Sequence, residues 1–76
     1  MFKNISNSSD YPKTLIIRNT EGGMIWQVYH IKEFYEADRL SFNATKNGFE
    51  ACTLEDYKGQ YEETFPDWRK KCDWVK

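Results

Sequence analysis

Two glycine signals constrain this chain more than any other feature: Glu21-Gly22-Gly23 and Asn47-Gly48. Each sits where one hydrophobic period stops and another begins. Before the first, Thr14 to Asn19 (TLIIRN) is short and β-branched, which predicts a strand. The Gly22-Gly23 pair supplies positive-φ positions for a tight hairpin. After it, Met24 to Ile31 (MIWQVYHI) predicts a second strand, antiparallel to the first. Strict alternation would set Met24, Trp26 and Val28 on one face and Ile25, Gln27, Tyr29 and Ile31 on the other.

From Glu33 to Asn47 the period becomes helical, with Phe34, Ala37, Leu40, Ser41 and Ala44 in one arc. Gly48 is placed to end that helix in the left-handed conformation, with Phe49 packing back on Ala44. Phe49 to Leu54 (FEACTL) predicts a third strand, and residues 55–63 read as an acidic, turn-rich loop. Thr64 can cap a final helix with Pro66 in its first turn and Phe65, Trp68, Cys72 and Val75 on one face. The expected architecture is α+β: ββαβ with an antiparallel hairpin and a C-terminal helix. Residues 1–13 show no period and are expected to form a flexible or extended arm, leaving 14–76 as a single domain.

Several function classes drop out. Two cysteines and one histidine, all far apart, offer neither a disulfide framework nor a zinc spacing, so no metal or cofactor is expected. The adjacent carboxylates Glu55-Asp56 and Glu62-Glu63 lie in a solvated stretch, where nothing would split their pKa values for acid–base work. An enzyme is therefore not expected. The longest apolar runs are three residues, too short for a bilayer, and Met1-Phe2-Lys3-Asn4 opens no signal-like apolar stretch. A cytoplasmic setting is expected.

Thirteen Phe, Tyr and Trp in 76 residues are unusual for so polar a chain. A small core filled with large side chains explains Trp26, Phe34, Phe49, Phe65 and Trp68. It does not explain Tyr35 and Phe42, seven residues apart on the helix face opposite the apolar stripe, with Arg39 and Lys46 beside them. Trp74 likewise points away from the face of the last helix. Aromatics flanked by Arg and Lys are the composition of interface hot spots. Tyr35 and Phe42 would serve as anchors, and Arg39 and Lys46 would orient an acidic partner. Two alternatives stay open: a second small core covers these rings, or a homodimer hides them.

Charge adds a further candidate. Residues 50–67 carry Glu50, Glu55, Asp56, Glu62, Glu63 and Asp67 against Lys58 alone, net −5. This stretch is either a solvated surface or an imitation of phosphates offered to a DNA-handling enzyme. The segment that follows has Trp68, Arg69, Lys70, Lys71 and Trp74, the ingredients of a nucleic-acid stacking platform, which is the alternative function.

The segment His30 to Tyr57, with Phe34-x-x-Ala37 on a helix, Asn47-Gly48-Phe49 opening a strand and Leu54-Glu55-Asp56-Tyr57 after it, resembles small orphan proteins of bacteriophages of Gram-positive hosts. The resemblance covers about a third of the chain and rests on fold-making residues. It implies a host-takeover context: a viral protein that inhibits a host protein of replication, transcription or defence by covering a functional surface. No catalytic or binding residue follows from it.

Overall fold

The computed structural model describes residues 11–72 and Trp74. The elements are β1 (Thr14–Asn19), β2 (Ile25–His30), α1 (Phe34–Lys46), β3 (Phe49–Thr53), α2 (Leu54–Gln60) and a 3-10 segment (Asp67–Lys71). The strands form one antiparallel sheet in the order β2-β1-β3. The protein is thus a small α+β domain.

The first strand in the chain occupies the centre of the sheet, and this explains its continuous apolar run. Leu15, Ile16 and Ile17 are all buried because both faces of β1 are covered. Leu15 and Ile17 join Ile31, Ala37 and Ala44 in a core under α1. Ile16 joins Ile25, Val28, Tyr57, Trp68 and Cys72 in a second core, closed by α2 and the 3-10 segment. Of the glycine pair only Gly23 takes the left-handed conformation (φ 70°), and an added Cβ there would lie 2.6 Å from the Phe65 ring. The hairpin glycine therefore serves both the turn and the second core. Gly48 (φ 84°) ends α1 as expected.

Three expectations about the elements need correction. First, β2 does not alternate strictly. Ile17 pairs with Gln27 while Arg18 pairs with Ile25, so Trp26 is the extra residue of a β-bulge. The bulge returns Ile25 to the Val28 side and takes Trp26 out of the core that the period assigned it. Second, the acidic loop begins as a helix. The Thr53 hydroxyl accepts a hydrogen bond from the Asp56 N–H (3.1 Å), capping α2, and Glu55 and Asp56 sit in its first turn where the helix dipole favours them.

Third, the final α-helix is replaced by the 3-10 segment, which starts after Pro66. It stops because Cys72 turns extended and bridges Val28 on the outer edge of β2. Val75 lies outside the described residues. At the N-terminal side, Tyr11 and Lys13 are hydrogen-bonded to the segment that follows β2. The Tyr11 hydroxyl donates to the Lys32 carbonyl (3.0 Å), and the Lys13 carbonyl accepts from the Ile31 N–H (2.8 Å). The rest of the expected arm, residues 1–10, lies outside the described residues.

The two cysteines stand in one row across the sheet: Cys52 beside Ile16, Ile16 beside Val28, Val28 beside Cys72. Three strand spacings separate them by about 14 Å, twice the reach of a disulfide.

Candidate functional site

The helix α1 is held at both ends by its own side chains. Glu33 and Glu36 form a capping box, in which the Glu36 carboxylate accepts from the N–H groups of Lys32 and Glu33 (2.8 Å each). Those two bonds hold the Glu36 carboxyl below its ordinary range. At the other end the Asn47 side chain donates to the Asn43 carbonyl (2.7 Å). The face on the sheet is built from small residues, Ala37, Ser41 and Ala44. Small residues bring the helix close to the sheet and leave the large ones outside.

The outer face carries the expected stripe. Tyr35 is 51% exposed and Phe42 56%. Arg39 and Lys46 are exposed between and beyond them, and neither forms an ion pair among the described residues. The Arg39 guanidinium lies 5.9 Å from the Tyr35 ring. These four residues fall within about 60° of helix circumference. Phe34, expected in the core, is instead surface-exposed and meets Tyr35 edge-on (5.9 Å), because it is the first residue of α1 and precedes the buried stripe.

The other sequence candidates are not gathered with this stripe. Trp74 is exposed but stacks on His30 (4.8 Å), in a recess shared with Tyr29, Lys32 and Glu36. The acidic residues have separate tasks: Asp56 completes the α2 cap, and Glu62 accepts from the Trp68 indole N–H (2.9 Å). Glu55 and Glu63 are exposed. Trp68, which a stacking platform would need on the surface, is 6% exposed.

A second surface was not foreseen. Trp26, turned out by the bulge, is 62% exposed, and Met24 beside it 70%. The Trp26 ring lies 5.4 Å from the Phe49 ring. With Tyr29, Leu40, Asn43 and Asn47 they line a groove of about 210 Å³ between the sheet and the C-terminal half of α1. A bulge that re-aims one large aromatic beside an apolar groove is a feature found next to binding sites. No known protein family, curated protein or solved structure matches this chain. Among the described residues no helix is long and apolar enough to cross a membrane, and no three His, Cys, Asp or Glu residues cluster closely enough to hold a metal ion.

The interior has its own polar cluster. Arg18 is buried, ion-paired with Glu50, and stacked 3.8 Å from the Tyr61 ring. Burial pushes the neighbouring Cys52 thiol up, with Arg18 acting against it. Tyr57 is wholly buried, and its hydroxyl has no hydrogen-bond partner among the described residues. Burial, with the nearby Asp67 carboxylate, pushes its phenol up to about 12.

A testable consequence follows from Tyr57. The neutral phenol supports the fold fully below the ordinary value of 10, and that support is lost as pH rises through the folded value near 12. Tyr57→Phe removes the unpartnered hydroxyl. It should raise the unfolding free energy by about 1 kcal/mol at neutral pH and flatten the alkaline decline. Urea titrations at neutral pH and between the two titration points check this. A variant less stable than the parent in both would mean that the hydroxyl is satisfied.

Proposed function

We propose that this protein is a non-enzymatic protein-binding module that acts by covering a functional surface of its partner. The observation that carries the reading is Trp26, held largely in solvent at a bulge and flanked by Met24 and the Phe49 groove. Folding gains nothing from exposing the largest apolar side chain, whereas tryptophan is among the residues that dominate binding energy at interfaces. The groove is apolar with two amides at its rim, which suits a protein segment presenting one or two apolar side chains. The resemblance to small phage proteins adds the setting: the partner would be a host protein of replication, transcription or defence, and the effect inhibition by occlusion. Burial of Trp68 counts against the nucleic-acid alternative.

Affinity capture from a Gram-positive host lysate, with the parent chain and with Trp26→Ala, tests the proposal. The expected result is a host protein retained by the parent at low and moderate salt, and retained about 30-fold more weakly or lost with the variant. Retention of nucleic acid that disappears as salt rises would overturn it. So would the absence of any retained protein.

A further inference from the structure

The outer stripe of α1 has a property that the Trp26 groove lacks: it is its own complement. Along the helix the exposed residues run Tyr35, Arg39, Phe42, Lys46, that is ring, cation, ring, cation. Tyr35 and Lys46 share a midpoint between Leu40 and Ser41, and Arg39 and Phe42 share the same midpoint. A two-fold axis placed there and perpendicular to the helix sets the Tyr35 of one copy against the Lys46 of the other. It also sets Phe42 against Arg39, and both pairs then occur twice. A two-fold interface needs a patch that matches itself on reversal, and this one does. We infer that the Tyr35–Lys46 face of α1 is a self-association surface, on which two copies of this chain meet antiparallel with each ring covered by a cation of the other copy.

The electrostatics favour this arrangement over its alternatives. Arg39 and Lys46 have no ion pair among the described residues, and Arg39 meets its own Tyr35 ring only at 5.9 Å, so both charges can face a ring quadrupole of the other copy. The buried residues of α1 lie on the opposite side, and Tyr35 and Phe42 are each about half exposed, so nothing among the described residues covers the stripe. A parallel pairing would set cation on cation. In the antiparallel pairing the two Arg39 groups are offset by about 4.5 Å along the helix, three residue rises, and each sits against a ring. The face of one 13-residue helix is at the small end of specific interfaces, so the dimer is expected to be weak and to build with concentration. The inference concerns a different surface from the Trp26 groove, and it stands or falls independently of that groove's partner.

Sedimentation equilibrium on the full chain, from about 10 μM to about 2 mM, tests it. The parent should dimerise reversibly. Tyr35→Lys sets lysine against lysine and should weaken the dimer about tenfold or more. Tyr35→Lys/Lys46→Tyr exchanges the two residues, restores ring against cation, and should recover affinity to within about threefold of the parent. All substituted positions are exposed, and circular dichroism confirms that each variant is folded. A parent that stays monomeric throughout overturns the inference, as does an exchanged variant no tighter than Tyr35→Lys. Trp26→Ala should leave the dimer intact. If it abolishes the dimer while Tyr35→Lys does not, self-association belongs to the groove and the α1 assignment fails.

Discussion

Trp68→Ala is expected to lower the unfolding free energy by about 3–5 kcal/mol, the usual range for emptying a buried indole site. Trp68 is where the 3-10 segment is fastened to the second core. Its ring packs with Ile16, Val28 and Tyr57, its N–H is held by Glu62, and the Arg69 guanidinium lies 4.5 Å from it. Without it, Cys72 and Tyr57 both lose the ring that packs with them in the second core. A domain of this length has a total stability of about 4–11 kcal/mol, so the variant should lose between about a quarter and all of it. Urea unfolding followed by circular dichroism measures the loss. Trp68→Phe should fall between, since it keeps most of the packing but leaves Glu62 without its donor. A midpoint for Trp68→Ala equal to the parent's would mean that the 3-10 segment is not part of the core.

The buried ion pair gives the second large effect, and it should be asymmetric. Glu50→Gln leaves the Arg18 charge inside the domain without its carboxylate, its Nε already lacking a hydrogen-bond partner among the described residues. Losing one member of a fully buried pair costs about 3–5 kcal/mol; here about 2 kcal/mol is expected, because the Glu50 side chain is itself partly in water. Arg18→Met should cost less than about 1 kcal/mol. It removes the charge, keeps an unbranched chain beside Tyr61, and leaves Glu50 able to hydrate. Thermal unfolding of the two variants side by side checks the order. If Arg18→Met is the more damaging, the guanidinium is held by its ring contact rather than by Glu50.

What could be read in advance was what local chemistry decides. The β-branched run of β1, the Gly22-Gly23 turn, the helical period of α1 and its stop at Gly48 are all settled within a few residues, and the structure has each of them. So is the exposure of Tyr35 and Phe42, which follows from the period alone. The misplacements share a different origin. A period of two sets Trp26 in the interior because it carries no warning of a bulge; the extra residue appears only in the pairing of β2 with β1. The 3-10 segment is short because Cys72 is drawn to Val28, forty-four positions away in the chain. The start of α2 was legible, since Thr53 stands three residues before Asp56, but the acidic run beyond it resembled a loop. Burial of Arg18 was not legible, because a charged residue next to a strand end normally faces water.

The position of β1 has a consequence for the order in which the protein is made. The central strand is synthesised early, and its two faces are covered at different times. The α1 side can close once Ala44 and Phe49 have emerged. The opposite side, with Ile16, Ile25 and Val28, waits for Tyr57, Trp68 and Cys72. Until those three are in place, that half of the sheet is an exposed apolar plane, the kind of surface that chaperones hold and that aggregates recruit. Chains interrupted between Phe49 and Trp68 would keep that plane exposed.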